Sequence, residues 1–310
     1  MVLGRVSNSI LSNRAVRYLQ NNLGQLGQLQ GLVASGKNIS KPSDDPVGLT
    51  RVLSLNNTLK ADARYTRNIE AAQAELKTVD TTMLAINNLV QRAEEIATQG
   101  ASAIYSQAQR DTLAQEVSNL MDTLTQLGNT KLGNQYLFAG FKTNAAPFSR
   151  GTGDAVTYAG TPPTEDTNRE IEVAEGFSIT VNINGQTLLG NSVAGTPPTG
   201  NGLFKTLAVL KHHLQAGDVP NIRAQIDILG TDLDAIKVSH ANVGALLNRL
   251  DDMVGRNEQR NATLSGQLAE IQDVDMAKVL SDLQYQQSVL QGSMSVAGRV
   301  LQTSLIDFLR

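Results

Sequence analysis

Two stretches of this chain place apolar residues alternately three and four apart for longer than a compact core requires. The longer reads Ile222, Ile226, Leu229, Leu233, Ile236, His240, Val243, Leu247, Leu250, Val254, Asn257, Asn261, Leu264, Leu268, Ile271. The other reads Ile69, Ala72, Leu76, Val79, Met83, Ile86, Val90, Ala93, Ala97. A mean spacing of three and a half residues keeps one seam against a partner helix over many turns. Only a small Gly/Pro/Thr-rich stretch separates the seams. The chain is therefore predicted to be mainly α: a long antiparallel coiled-coil or bundle rod formed by both termini, with a small inserted β domain.

Composition narrows this further. Only 4% of the 310 residues are aromatic and none is tryptophan, so a large globular core is poorly supplied and helical seams of Leu, Ile, Val and Ala must provide the burial. The formal net charge is −3, with no basic stripe interleaved with aromatics, which argues against nucleic acid as a partner. There are no cysteines; disulfides, thiolate catalysis and cysteine metal sites are excluded together. Residues 1–30 carry Arg5, Arg14 and Arg17 but no apolar run of secretory length, and no stretch elsewhere is long enough to span a bilayer. The reading is no cleaved signal and no membrane partner.

Along the chain, Val16, Leu19, Leu23, Leu26, Gln30 and Val33 mark a first helix that Gly24, Gly27 and Gly31 weaken, each by about 1 kcal/mol relative to alanine. Such a helix is expected to order only against partners. In the turn at 35–48, Pro42 and Pro46 stop helix continuation while Ser43, Asp44 and Asp45 supply caps. A second helix over 47–98 is roughly 80 Å long. Ser106 and Gln109 offer a capping box for a third, with Leu113, Val117, Leu120, Leu124 and Leu127, running back along the second. Residues 135–140 read as a short strand.

From 141 to 202 the period becomes alternating, at 155–158, 170–173 and 177–183, with Asn184-Gly185 as a hairpin signal and the two Thr-Pro-Pro-Thr runs, 161–164 and 196–199, as linkers or exposed loops. Helical order returns with Leu203, Phe204, Leu207, Leu210 and Leu214 and stops near Gly217. The Asp273-Val-Asp275 step interrupts the long ladder. A last helix carries Leu283, Leu290, Met294, Ala297, Leu301 and Phe308 among glutamines.

No catalytic residue, cofactor site or metal site is assigned. His212 and His213 are neighbours that point apart on a helix, and His240 occupies a seam position where a polar residue sets register. The pairs Asp232/Asp234, Asp251/Asp252 and Asp273/Asp275 read as solvated faces or caps. Gly151-Thr-Gly153 is too short for a phosphate loop, and capping accounts for Ser40 and Ser43.

The residues also carry a resemblance. Residues 38–46, with Pro42, Ser43, Asp44, Asp45 and Pro46, resemble the turn after the first helix in bacterial flagellins and their relatives. Residues 134–148, with Tyr136, Phe138, Gly140, Pro147 and Phe148, are similar more narrowly to the hook-associated branch of that family, as are 273–276 and 304–310.

The resemblance implies a non-enzymatic axial part of the flagellum, secreted by type III export and placed at the hook-filament junction. Its implied partners are itself in a ring of subunits, a hook-side hook-associated protein, flagellin, and a cytoplasmic export chaperone at the carboxy-terminal region. A short flagellin is the alternative, and an enzyme carried on the insert a more distant one. The implied layout is terminal helices 1–40 with 275–310 as an inner layer ordered on assembly through Leu19, Leu23, Leu26, Leu290, Met294, Leu301 and Phe308. A rod of 41–140 with 203–274 follows, and an outer β domain at 141–202.

Overall fold

The computed structural model describes the backbone of residues 3–165 and 168–308, and the side chains of 10, 13–165 and 168–299. The helices are α1 (Leu3–Ser35), α2 (Pro46–Gly100), α3 (Gln107–Gly128), the short α4 (Gly185–Leu189), α5 (Gly202–Ala216), α6 (Val219–Gln272) and α7 (Met276–Phe308). The strands are β1 (Lys131–Leu132), β2 (Gln135–Tyr136), β3 (Phe148–Arg150), β4 (Val156–Tyr158), β5 (Glu170–Ala174), β6 (Phe177–Thr180), β7 (Asn191–Val193) and β8 (Thr199–Asn201). The chain divides into two compact units, residues 62–259 and residues 1–61 with 260–310.

In the unit of residues 62–259 the expected ladders are the core. Ile69, Leu76, Met83, Ile86 and Val90 of α2 are essentially inaccessible, as are Val117, Met121 and Leu124 of α3 and Ile222, Leu229 and Leu250 of α6. Polar bonds pin the antiparallel register of α2 and α6: His240 Nε2 lies 2.8 Å from Asp80 Oδ1, and the Gln73 amide donates to Asp251 at 2.6 Å. Here a seam histidine does set register, through a named carboxylate.

The α2–α3 reversal is held by Arg110, whose guanidinium donates to the carbonyls of Gly100 and Ser102 at 2.9 and 3.0 Å. The expected capping box forms, with Ser106 accepting from the Gln109 N–H and the Gln109 side chain accepting from that of Ser106. Gly217 closes α5 in the left-handed conformation, φ 67°, which glycine alone adopts without strain.

The insert holds a four-stranded antiparallel sheet, ordered β3-β4-β7-β8, and a separate β5-β6 hairpin. Three local expectations are corrected. Of 135–140, only Gln135–Tyr136 is strand, paired with Lys131–Leu132; Phe138 is drawn into the core and Gly140 turns the chain at φ 66°. Asn184-Gly185 is not a hairpin turn: Asn184 caps α4, its side chain accepting from the Gln186 and Thr187 N–H groups, the competing use of asparagine that local sequence cannot rank. The first Thr-Pro-Pro-Thr run is not wholly exposed either. Thr161 is buried, its hydroxyl accepting from Phe141 N–H at 2.9 Å and its carbonyl from the Asn184 amide at 2.8 Å.

In the other unit, α1 and α7 pack antiparallel. Asn22 donates to Ser293 Oγ at 3.1 Å and Gln286 to Gln25 Oε1 at 2.9 Å. Val279, Gln286 and Ala297 of α7 are buried, but none of the described α1 side chains is. Apolar packing within this unit is thin.

Candidate assembly surfaces

The turn between α1 and α2 is built by its two aspartates in different ways. Asp45 Oδ1 accepts from Val47 and Gly48 N–H at 3.0 and 2.9 Å and so caps α2, with Pro46 in the first helical position. Asp44, expected as a cap, folds backward instead: its Oδ2 accepts from Lys41 N–H at 2.8 Å, Ser40 N–H at 3.1 Å and Ser40 Oγ at 3.3 Å. The Lys41 and Ser40 amides hold this exposed carboxyl below its ordinary pKa. Pro42 and Ser43 are exposed. A Cβ on Gly48 would run into the Asp45 carboxylate and Ile39, so any larger residue there must displace the side chain that caps α2.

The break between α6 and α7 stitches onto this turn. Asn38 N–H donates to Gln272 O at 2.7 Å and Val274 N–H to Gly36 O at 3.1 Å, around an antiparallel bridge of Lys37 with Asp273. Asp275 then caps α7 by accepting from Lys278 N–H at 3.1 Å. Each chain break therefore satisfies backbone groups of the other, a pairing that neither stretch announces alone.

On α1 and α7 the predicted assembly residues lie along one helix pair. Leu19, Leu26 and Leu290 are half-buried, whereas Leu23 and Met294 are each 54% exposed. The side chains of Leu301 and Phe308 lie outside the described residues. Tyr18 and Tyr285 are 66% and 71% exposed, and Val16 and Val296 are also open. An added Cβ at Gly24, Gly27 or Gly31 would meet nothing within 4 Å. No close contact among the described residues explains these helix-interior glycines.

Segment 136–148 has a different character: it is a packing joint. Phe138 and Phe148 are buried, and the Phe148 ring centroid lies 5.1 Å from that of Tyr158 and 5.2 Å from that of Phe204. Asn129, at the end of α3, clamps the Phe148 backbone, donating to its carbonyl at 2.8 Å and accepting from its N–H at 2.9 Å. Tyr158 OH donates to Phe138 O at 2.9 Å, and burial pushes this phenol up to about 12. Pro147 is buried and its carbonyl accepts from Ala159 N–H at 2.8 Å. Gly140 sits where a Cβ would press on Thr161. Tyr136 stays partly open, with Lys131 Nζ 4.4 Å from its ring centroid.

Sequence reasoning missed the charged network beside this joint. Arg150 pairs with Asp122 at 2.6 Å and with Asp154 at 2.7 Å, Lys211 reaches the same Asp154 oxygen at 2.8 Å, and Arg150 also donates to Ser118 Oγ at 2.8 Å. Burial alone would raise the Asp154 pKa, but Lys211 and Arg150 outweigh it and hold the carboxyl below its usual range. Similarly missed is the anchoring of the β5-β6 hairpin on α2: Arg169 to Glu75, and Glu172 to both Arg64 and the Tyr65 hydroxyl. Burial raises the Glu75 pKa against the pull of Arg169.

His212 and His213 do not diverge as expected; their rings meet edge-on at 5.4 Å, with His213 Nδ1 3.5 Å from Asp218. Burial, with a smaller contribution from His212, lowers the His213 pKa against the pull of Asp218. A cavity of about 270 Å³ lies among Asn182, Asn184, Thr187 and Ser239, and none of its lining side chains is titratable. Among the described residues, no group of three His, Cys, Asp or Glu side chains is placed to hold a metal ion, and no helix is long and apolar enough to cross a membrane.

Long helices lie at both ends of the chain, with a small β insert between them. The model of the bacterial flagellin N-terminal helical region matches residues 6–143 and that of the C-terminal helical region residues 226–309; the chain belongs to the flagellin family. Within it, the chain is 25% identical over 306 residues to flagellar hook-associated protein 3 of Escherichia coli K12, covering 93% of this chain and 94% of that one. It is 24% identical to a flagellin of Listeria innocua, covering 96% of each. Among solved structures, a putative flagellar hook-associated protein from Vibrio parahaemolyticus aligns with TM-score 0.62 at 20% identity, over 74% of this chain and all of that one.

Proposed function

We propose that this chain is the adaptor that joins the hook to the flagellin filament of the bacterial flagellum. The observation that carries the reading is the alignment, over 93% of the chain with the insert included, to a hook-associated protein 3. In this role the chain stands as a ring of copies, with a hook-side hook-associated protein on one side and flagellin on the other. It is secreted through flagellar type III export, accompanied in the cytoplasm by a chaperone on its carboxy-terminal region. It works without catalysis, by shape and mechanical continuity.

Residues 1–40 with 275–310 form the inner layer of the ring. Leu19, Leu23, Leu26, Leu290, Met294, Leu301 and Phe308 contribute its assembly seam, which completes its burial between copies. The half-buried and exposed state of the described members in the single chain supports this. Residues 41–140 with 203–274 form the rod, and 141–202 face outward.

A short flagellin is the second reading, favoured by the 24% identity to a Listeria innocua flagellin. Electron microscopy of intact flagella labelled with an antibody to residues 141–202 separates the two. A single narrow band between hook and filament is expected. Label along the whole filament would make the chain a flagellin and overturn the adaptor reading.

A further inference from the structure

The chain holds two Asn-Gly dipeptides, Asn184-Gly185 and Asn201-Gly202, and the fold treats them in opposite ways. Asparagine is a chemically labile residue, most of all before glycine, where no Cβ obstructs the following amide nitrogen. A base takes the proton of that N–H, the nitrogen attacks the side-chain Cγ, and the bond from Cγ to Nδ2 breaks. Ammonia leaves, a five-membered imide remains, and water opens it at either carbonyl to give aspartate or isoaspartate. Nothing is oxidised or reduced, and water is the only co-reactant.

At Asn184-Gly185 the groups this chemistry needs are already engaged. Asn184 is 9% exposed. The Gly185 N–H, which would supply the nucleophile, donates to Phe138 O at 3.1 Å. The Asn184 Nδ2, which would depart as ammonia, donates to Thr161 O at 2.8 Å. Gly185 is itself buried, so attack there requires local opening of the insert.

Asn201-Gly202 carries none of these restraints. Both residues are exposed. Gly202 begins α5, so its N–H lies in the first turn, where no intrahelical acceptor exists. Asn201 stands at the cap position but makes no side-chain capping bond. Its Oδ1 instead accepts from Asn191 N–H at 3.0 Å, a donor that stabilises the negative charge developing on that oxygen as Cγ is attacked. Asn184 Oδ1 has comparable donors in the Gln186 and Thr187 N–H groups. The difference between the two sites therefore lies in the nucleophile and in the access of water and base.

We propose that Asn201 is a self-modifying site, at which the Gly202 nitrogen converts the asparagine to aspartate and isoaspartate in the folded chain while the same dipeptide at 184 is spared. The two products differ in effect. Aspartate adds one negative charge at the start of α5, which suits both the cap position and the helix dipole. Isoaspartate adds a methylene to the backbone where Gly190 leaves no room, since even a Cβ on Gly190 would strike the Asn201 carbonyl and the Gly202 Cα. The isoaspartyl form therefore loosens the junction of β8 with α5.

The test uses the purified full-length chain, kept folded for several days in mildly alkaline buffer and then digested briefly with trypsin, with freshly made chain as the baseline. The tryptic fragment 170–205 contains both dipeptides, so fragmentation of one peptide in the mass spectrometer compares them directly. Conversion at Asn201 is expected to exceed that at Asn184 by at least about tenfold in the folded chain, and the two should come within about threefold once guanidinium unfolds it. Equal conversion in the folded chain, or conversion at neither site until the chain is unfolded, overturns the proposal. The isoaspartyl fraction should also be cut at the exposed Lys205 severalfold faster than an Asn201→Asp chain. Equal cutting would overturn the loosening of the junction.

Discussion

Phe148→Ala probes the joint between the helices and the insert. The ring is 1% exposed, so the substitution forfeits nearly all of a burial worth about 1.5–3 kcal/mol. It also leaves a hole of roughly 100 Å³, which at about 24 cal/mol per Å³ adds about 2.4 kcal/mol. How far the site collapses decides where in that range the cost falls. Two neighbours, Gly128 and Gly185, have no side chain to move in, and Tyr158 is tethered to Phe138 O. Collapse is poor, and a cost of about 4–5 kcal/mol is expected.

With a urea m-value of about 2–3 kcal/mol/M for a unit of this size, the midpoint falls by roughly 1.3–2.5 M. Near-ultraviolet circular dichroism of the full chain is the suitable probe, since four of the six tyrosines, Tyr65, Tyr105, Tyr136 and Tyr158, lie in residues 62–259. Phe141, 53% exposed in the same segment, is the internal control, and its alanine variant should stay within about 0.5 kcal/mol of the unsubstituted chain. A fall below about 0.5 M for Phe148→Ala, or an equal fall for Phe141→Ala, would refute the closed aromatic joint.

Gly48→Ala should open the α1–α2 turn despite alanine's better helix propensity, because its Cβ meets Asp45 and Ile39; tryptic cutting at Lys37 is expected to quicken severalfold, and an unchanged rate would count against it. Asp154 has a folded pKa held below its ordinary value, so its contribution is present at neutral pH and is lost as pH falls below about 4 through that lower value. Asp154→Asn should cost about 1–3 kcal/mol at pH 7 by leaving Lys211 without its carboxylate and Arg150 with Asp122 alone, and its urea midpoint should drop less than the parent's between pH 5 and pH 3. Parallel pH profiles would remove the network from the account. Joint Leu23→Asp and Met294→Asp substitution, at positions each 54% exposed, should leave the melting temperature of the purified chain within about 2 °C yet abolish incorporation into flagella; normal incorporation would show that these side chains are not at a contact.

The helical part of this fold was readable because its information is local and repeated. Each residue of the ladder from Ile69 to Ala97 predicts the next, and one error does not shift the rest. The capping box of Ser106 and Gln109 and the stop at Gly217 were legible for the same reason. What escaped was every feature that depends on a distant partner. Asn184-Gly185 has hairpin chemistry, but the pull of Phe138 O on Gly185 N–H, at 3.1 Å, sets it at a helix start. Asp44 escaped for a local reason instead: it has cap chemistry, but the Lys41 and Ser40 N–H groups, three and four residues before it, compete for the same carboxylate. The Arg150–Asp154–Lys211 network draws on α3, α5 and the insert, and no spacing in the sequence links them. Of the candidate site, the motif residues were located but their natures differ: Phe138 and Phe148 are buried architecture, whereas Leu23 and Met294 are open surface.

The pairing of α1 with α7 also sets an order of events in time. Asn22 and Ser293 bond across 271 residues of sequence. At roughly 5–20 residues per second, the second of them leaves the ribosome about 15–50 s after the first. The unit formed from both ends has only half its material until synthesis is nearly over. For about 15–50 s the apolar face of the first helix is on offer to whatever else is in the cell. Anything that must catch this protein before it closes on itself has that interval in which to act.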